Sequence, residues 1–138
     1  MTEEQRPRPQ PSALTAPFWA AARDHVLVRP LCRACGTSFF TPQIACPACL
    51  SEEWSYEPSS GRGTVYSATV VHRAPLAGFD PPYQVGIVDL EEGWSMLGNL
   101  LDGPRRPTPI GTEVEVAWIE VDADLTLPVF GPVDGAGR

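Results

Sequence analysis

The four cysteines are the residues of this sequence best suited to specific chemistry, because thiolates bind soft metal ions strongly. They form two Cys-x-x-Cys pairs, Cys32 with Cys35 and Cys46 with Cys49, and ten residues separate the pairs. A tight turn inside each pair aims both sulfurs at one point, and four sulfurs complete the tetrahedron that Zn²⁺ prefers. The pattern therefore predicts one structural zinc ion with no open coordination position for a substrate.

The same cysteines allow two other interpretations. Four cysteines can form two disulfides in three connectivities, and a single Cys-x-x-Cys pair can act as a redox site. The sequence shows no apolar signal segment, so we expect a reducing, cytoplasmic setting in which disulfides are rare. A redox pair usually stands near a βαβ unit, and no such pattern flanks either pair. Zinc binding is therefore the favoured interpretation.

The bulk composition is that of an acidic globular protein. The 138 residues carry a formal net charge of −7, and 43% of them are hydrophobic. This length suits one domain or two very small ones, and no apolar run approaches the roughly 20 residues of a membrane span. All ten basic residues are arginine, which excludes Schiff-base chemistry by a lysine of this chain. The acidic balance also argues against binding to nucleic-acid phosphates.

The N-terminal part contains a predicted tail followed by a predicted short helix. Residues 1–13 are polar and rich in proline, which predicts a flexible tail. Apolar side chains at helical spacing then predict a helix over residues 16–25. This helix carries two large aromatic side chains, Phe18 and Trp19. They either pack on the domain or form part of a partner surface, since aromatic anchors dominate such contacts.

The rest of the sequence is strand-like. Residues 26–31 and 54–56 predict two strands that flank the cysteine pairs, and residues 58–61 predict a loop between two modules. Five further strands are predicted beyond this loop, over residues 64–72, 83–90, 94–100, 112–120 and 125–130. Five strands joined by glycine- and proline-rich turns favour a closed OB-fold barrel.

The predicted fold class is therefore mainly β, with one short N-terminal helix, a zinc ribbon and a five-stranded OB-fold barrel. Gly86 and Gly98 lie inside predicted strands and suggest bends at the barrel corners. The predicted division of the chain is a tail (1–13), the helix with the ribbon (14–58), the barrel (59–132) and a second tail (133–138).

A set of catalytic residues is not apparent. The two histidines are His25 and His72, and a nucleophilic triad would need a spare cysteine, or a serine paired with a histidine base. His72 is the best candidate for a general base, although a histidine at the end of a strand more often faces solvent. We therefore predict no catalytic residue in this chain.

Taken together, these segments resemble a known family, the zinc-ribbon OB-fold proteins associated with acyl-CoA metabolism. The likeness runs from about residue 17 to residue 132 and includes a rubredoxin-like ribbon. The matching motifs are Leu31-Cys32-x-x-Cys35-Gly36, Cys46-Pro47-x-Cys49, Gly61-x-Gly63-Thr64-Val65-Tyr66-Ser67, Pro82-Tyr83-x-Val85, Leu90-x-Glu92-Gly93, Gly98-Asn99-Leu100, Ile110-Gly111-x-x-Val114 and Pro128-x-Phe130. The run Phe40-Thr41-Pro42-Gln43 departs from the aromatic-Pro-Pro-Arg run that is frequent in the family.

The resemblance implies an accessory function. It implies that members of this family act as partners of thiolase-fold enzymes, including aldolases that cleave steroid side-chain CoA thioesters. It implies a hetero-oligomer in which the partner performs the chemistry and this chain supports assembly or helps to hold the acyl-CoA. Because thiolase-fold enzymes are usually dimers, we expect a complex of two plus two subunits. Arg73, Arg105 and Arg106 lie in predicted loops, where they either meet CoA phosphates or are ordinary surface charge.

Two other functions remain open from the sequence. Zinc ribbons and OB barrels both occur in nucleic-acid-binding modules, but such a module would need a basic groove with exposed aromatic side chains. The acidic run from residue 113 to residue 124 argues against it. A free-standing enzyme is the third possibility, and turnover of acyl-CoA thioesters by the purified chain alone would establish it.

Overall fold

The computed structural model describes residues 6–103 and 105–133. The first five residues of the predicted N-terminal tail, Pro104, and residues 134–138 of the predicted C-terminal tail lie outside the described residues. The helix and strands, in chain order, are α1 (Ala16–Arg23), β1 (Val28–Cys32), β2 (Trp54–Pro58), β3 (Arg62–Val71), β4 (Tyr83–Leu90), β5 (Ser95–Leu100), β6 (Glu113–Asp122) and β7 (Leu125–Pro132).

The β1 and β2 strands form the antiparallel base of the ribbon, with Cys32 opposite Trp54. A single bridge between Leu31 and Ser38 continues the ribbon into the segment between the cysteine pairs. Arg29 is buried in this base, where it donates hydrogen bonds to the Ser38 hydroxyl and to the Pro58 carbonyl. The ribbon therefore brings the two cysteine pairs to one end.

The remaining five strands close into a barrel in the order β3-β4-β5-β7-β6, with β6 pairing back to β3. Neighbouring strands are antiparallel except β5 and β7, which pair in parallel at Leu100 and Phe130. This arrangement is that of the predicted OB-fold, and each barrel strand begins and ends within two residues of its predicted bounds. The prediction of a mainly β chain with one short helix is confirmed.

Gly86 and Gly98 face each other across β4 and β5, and close packing explains both. A Cβ atom on Gly86 would lie 2.6 Å from the Leu100 side chain and 2.6 Å from the Ser67 carbonyl oxygen. A Cβ atom on Gly98 would lie 3.3 Å from the Phe130 ring. These glycines therefore leave room for the neighbouring side chains and backbone. The bends of the barrel strands at these two positions stay a prediction.

One hydrophobic core cluster joins the helix, the base of the ribbon and the barrel. The Phe18 ring of α1 lies 5.3 Å from the ring of Phe40 in the ribbon, and Phe40 lies 5.4 Å from Trp94 at the barrel. Leu27 is 2% exposed and belongs to the same core cluster as Val88, which is fully buried. Because aromatic and aliphatic side chains from all three parts share this core, we treat them as one packed unit.

The ends of the helix and the N-terminal segment differ from the sequence expectation in detail. Helix α1 ends two residues before the predicted end, because His25 has a φ of 60°, which a right-handed helix does not allow. Residues 6–12 have no regular structure, but they contact the barrel at two points. Arg8 donates to the Asp122 carboxylate at 2.7 Å, and the Arg6 guanidinium lies 4.5 Å from the centre of the Phe79 ring.

The loop between ribbon and barrel is held by the carboxylate of Glu92, in the turn between β4 and β5. Glu92 accepts hydrogen bonds from the Ser59 hydroxyl and the Ser60 N–H, each at 2.7 Å, and from the Trp94 indole at 3.3 Å. Partial burial acts to raise the pKa of Glu92, but these hydrogen bonds outweigh it and hold the pKa below the ordinary value of 4.5. The ionised carboxylate therefore stabilises the junction.

We expect Glu92→Gln to lower the free energy of unfolding by about 1–2 kcal/mol at pH 7, because charge-assisted hydrogen bonds to the loop are lost. The folded-state pKa is lowered, so this stabilisation is present above pH 4.5 and disappears as the pH falls below that value. Denaturant unfolding of both proteins between pH 7 and pH 3.5 measures the difference. Glu91→Gln is the matched control, since Glu91 is exposed and meets the loop only through the Ser60 hydroxyl. An equal effect of the two substitutions would contradict this role.

Candidate metal centre and neighbouring surfaces

Two similar turns, which we call the first knuckle (residues 32–36) and the second knuckle (residues 46–50), present the cysteines. In the first, the Gly36 N–H donates to the Cys32 carbonyl at 3.0 Å. In the second, the Leu50 N–H donates to the Cys46 carbonyl at 2.8 Å. The residue after each pair has a positive φ, 78° at Gly36 and 66° at Leu50. These turns fold each chain segment back so that both sulfurs of a pair point the same way.

The four sulfurs form a cluster of the size that a zinc ion requires. All four Sγ atoms lie within 4.8 Å of one another. Between the two knuckles, the Sγ atoms of Cys32 and Cys49 are 3.6 Å apart, and those of Cys35 and Cys46 are 3.7 Å apart. A tetrahedron with zinc–sulfur bonds of about 2.3 Å has sulfur–sulfur edges of about 3.8 Å. All four cysteines are free thiols, so the two-disulfide interpretation does not apply to this structure.

The surroundings of the cluster are apolar on one side and open on the other. Cys32 and Cys46 are buried against Phe39 and Trp54, whose rings meet edge to face at 5.7 Å. The Trp54 indole donates to the Ile44 carbonyl at 3.1 Å, which attaches the segment just before the second knuckle to the ribbon base. Two sulfurs are thus held in a small core while Cys35 and Cys49 face outward.

The two outward thiols have shifted pKa values. Hydrogen bonds with the side chain and backbone of Thr37 lower the pKa of Cys35 to about 6. For Cys49, a backbone hydrogen bond with Ser51 acts to lower the pKa, but hydrogen bonding with Cys35 and burial outweigh it and raise the pKa to about 12. Zinc ligands are thiolates, so metal binding releases the protons that these sulfurs otherwise share.

The structure corrects one of the two predicted partner residues. Phe18 is 5% exposed and packs in the shared core, so it is not available to a partner. The reason is that the Phe40 ring of the ribbon covers it from a part of the chain distant in sequence. Trp19 is only half-buried and meets the edge of the Phe18 ring at 5.2 Å. A partner contact by Trp19 stays a prediction.

The three arginines for which a contact with CoA phosphates is predicted lie in two different loops. Arg105 and Arg106 line a shallow cleft of about 380 Å³. Arg73 lies in the loop between β3 and β4 and is not one of the described residues that line this cleft. All three are exposed. Two of the three arginines therefore line this cleft.

A buried glutamine that the sequence analysis missed fixes the loop of Arg105 and Arg106. Gln84 is 1% exposed, and its Oε1 atom accepts hydrogen bonds from the N–H and the hydroxyl of Thr108 at 2.8 and 3.0 Å. Its Nε2 atom donates to the Gly103 carbonyl. The loop is thus attached to the barrel on both sides of the arginine pair. The sequence signal was a polar residue at an inward position of a strand that otherwise alternates regularly.

The outer face of β3, β4 and β5 is nearly uncharged. Tyr66 and Leu97 are 61% and 68% exposed there, and the only charged residues of these three strands are Arg62 and Asp89, near one end. OB-folds that bind oligonucleotides use the corresponding strands together with basic grooves. This face therefore suits an apolar partner better than a phosphate backbone.

The two histidines do not form a catalytic group with a nucleophile in the described residues. The His25 ring stacks on Trp118 at 5.5 Å, and its Nε2 atom lies 2.9 Å from the Glu120 carboxylate. His72 is exposed at the end of β3. The His25 contacts attach the end of α1 to the barrel, which is a structural role.

We expect Cys32→Ser to abolish stoichiometric zinc binding and to lower the free energy of unfolding by several kcal/mol, part of the roughly 10–16 kcal/mol that zinc supplies to zinc-finger peptides. Zinc content by elemental analysis and thermal unfolding of the same samples check this. Ala34→Ser is the matched control, because it places a serine at an exposed position of the same knuckle. A Cys32→Ser protein that keeps one zinc ion and unfolds like the wild type would contradict the zinc assignment.

Comparison with known proteins gives the same architecture. Residues 19–55 match the family described as "ChsH2, rubredoxin-like zinc ribbon domain", and residues 56–119 match "ChsH2, C-terminal OB-fold domain". A solved chain of the "Ltp2-ChsH2(DUF35) aldolase" superposes with a TM-score of 0.81 at 38% identity, over 91% of this chain and 98% of that one. The family boundary at residue 55 falls within β2, close to the predicted loop between the modules.

Two curated relatives extend the comparison. A "Probable enoyl-CoA hydratase alpha subunit" of Thermomonospora curvata is 39% identical over 92% of this chain, which spans 40% of that relative's length. The "Benzoylsuccinyl-CoA thiolase subunit BbsA" of Thauera aromatica is 34% identical over 68% of this chain and 63% of that protein. With its four-cysteine ribbon and its closed barrel, this chain belongs to the ChsH2 (DUF35) family of zinc-ribbon OB-fold proteins.

Proposed function

We propose that this chain is a non-catalytic accessory subunit of a thiolase-fold enzyme that acts on acyl-CoA thioesters. The observation that carries the proposal is the likeness, over nearly the whole of the solved chain, to one subunit of an aldolase complex. The relatives reported above are named as subunits of a CoA hydratase and of a CoA thiolase. A common role as a partner in CoA-ester enzymes accounts for both names.

The chemistry of the metal centre supports this role. Four protein thiolates fill the coordination sphere of a structural zinc ion, so the metal is left without a position for substrate. The ion then serves to fix the ribbon and the surfaces that the ribbon carries. Catalysis in the proposed complex belongs to the partner subunit.

The surface also supports assembly with another protein. The outer face of β3, β4 and β5 exposes Tyr66 and Leu97 on a chain whose net charge is −7. Contiguous apolar surface that is not interrupted by charges is typical of protein interaction sites. The low charge of these strands and the acidity of the chain give no support to the alternative of a nucleic-acid-binding module.

The finer parts of the proposal are the reaction, the assembly and the setting. We propose aldol cleavage of a steroid side-chain CoA ester or a related acyl transfer, in a cytoplasmic complex of two accessory and two thiolase-fold subunits. No helix in the described part of the chain is long and apolar enough to span a membrane. A contact of Arg105 and Arg106 with the CoA phosphates stays a prediction, for which the fixed loop gives a suitable position.

We expect the tagged chain, isolated from its native host, to carry a thiolase-fold protein in stoichiometric amount, identified by mass spectrometry. The purified pair should turn over an acyl-CoA thioester that this chain alone leaves unchanged, and the partner alone should lose most of its activity. The Cys32→Ser protein is the control for capture by the tag, because its ribbon lacks the zinc site.

Three results would overturn the proposal. One is the absence of any thiolase-fold protein from the isolated complex. Another is recovery of nucleic acid with its processing enzymes, together with salt-dependent binding of single-stranded oligonucleotides near physiological ionic strength. The last is turnover of acyl-CoA thioesters by the purified chain alone, which would make it an enzyme in its own right.

A further inference from the structure

The second knuckle carries an apolar tip that does not contribute to the interior. Leu50 is 77% exposed, and Ile44, just before the knuckle, is 69% exposed. Pro47 and Ala48 between them are also exposed. Among the described residues, Leu50 belongs to neither of the two hydrophobic core clusters. Burial within this chain therefore does not explain why a large apolar side chain stands at this position.

The backbone at Leu50 is strained, and the first knuckle shows how the strain could be avoided. Leu50 has a φ of 66°, in the left-handed region that bulky residues rarely occupy. The equivalent position of the first knuckle is Gly36, which makes the same kind of hydrogen bond with a φ of 78°. Glycine adopts this conformation without steric conflict. The second knuckle thus has a strained leucine at the position that an unstrained glycine occupies in the first knuckle.

Internal contacts explain the other non-glycine residue with a positive φ among the described residues. His25 has a φ of 60°, and its ring stacks on Trp118 and pairs with Glu120, so its side chain stabilises the docking of α1. Leu50 projects from the end of the molecule that holds the zinc site. A strained conformation that is kept for an exposed side chain indicates a role outside the chain.

The charge around Leu50 indicates what it meets. Apart from the zinc-binding thiolates of Cys46 and Cys49, residues 43–50 carry no charged side chain, and the next acidic side chains along the chain are the exposed Glu52 and Glu53. The first knuckle, by contrast, exposes Arg33. The apolar side chains of this tip are complementary to an apolar pocket of another protein, whereas the tip has no cation with which to bind phosphate.

We propose that Leu50 and Ile44 dock into an apolar pocket on the thiolase-fold partner, so that the second knuckle is a contact point of the complex. This inference rests on the proposed function and adds to it the place of contact. The knuckle is held by the zinc site, by the Leu50 N–H bond to Cys46, and by the Trp54 bond to the Ile44 carbonyl. Two side chains on such a rigid turn lose little conformational freedom when they bind, which favours affinity.

The test is Leu50→Gly in the full zinc-loaded chain, with the thiolase-fold protein recovered from the host as the binding probe. We expect the dissociation constant to rise about tenfold or more, as for an apolar anchor in a pocket. The unfolding temperature should stay equal to that of the wild type or rise, because the strain at this position is removed. Leu50→Asn, which tolerates a positive φ but is polar, should weaken binding by a similar factor.

Leu76→Gly is the matched control, since Leu76 is an equally simple exposed leucine, 58% exposed, in the loop between β3 and β4. It should leave the affinity unchanged. Wild-type affinity in both Leu50 variants would overturn the docking role, and so would a clearly lower unfolding temperature of Leu50→Gly. Self-association of the wild type that Leu50→Gly abolishes would assign the tip to a second copy instead. If the wild-type chain binds no thiolase-fold protein, the proposed function fails, which is a separate result.

Discussion

The four thiolates of the ribbon must converge on one metal ion, and the rest of the structure depends on this constraint. The segment between β1 and β2 contains little that could form a core of its own, since Phe39 and Trp54 are the main apolar groups beside the buried cysteines. Segments of this size need a metal or disulfides to hold a fixed shape. With the sulfurs in place, Phe40 is held against Phe18 and Trp94, so the metal site also supports the core of the whole chain.

A rigid junction gives this fold the properties of an assembly module. The Glu92 carboxylate holds the loop between ribbon and barrel, and Gln84 holds the loop that carries the arginine pair. Glu92 thereby fixes the ribbon, which carries the tip of the second knuckle, against the barrel, which carries the uncharged face of β3, β4 and β5. Preorganised surfaces of this kind suit a subunit whose purpose is to bind a partner.

The sequence was informative where the signal is local. Cysteine spacing located the metal site, and alternation with turn residues located the barrel strands, because both depend on residues that are near neighbours in the chain. Long-range contacts could not be predicted in this way. The burial of Phe18 depends on Phe40, the role of Gln84 depends on Thr108, and the hydrogen bonds of Glu92 depend on a loop more than thirty residues earlier. In each case the pattern around the residue itself does not identify its partner.

X-ray absorption spectroscopy at the zinc edge, on the chain purified without added metal, tests the central claim most directly. The account predicts one zinc ion per chain, with a first shell of four sulfur atoms at about 2.3 Å and no nitrogen or oxygen ligand. A shell with oxygen or nitrogen would mean an open site and would require a different role for the metal. A folded protein without zinc would show that the core and the barrel stand without the ion, which would contradict the account.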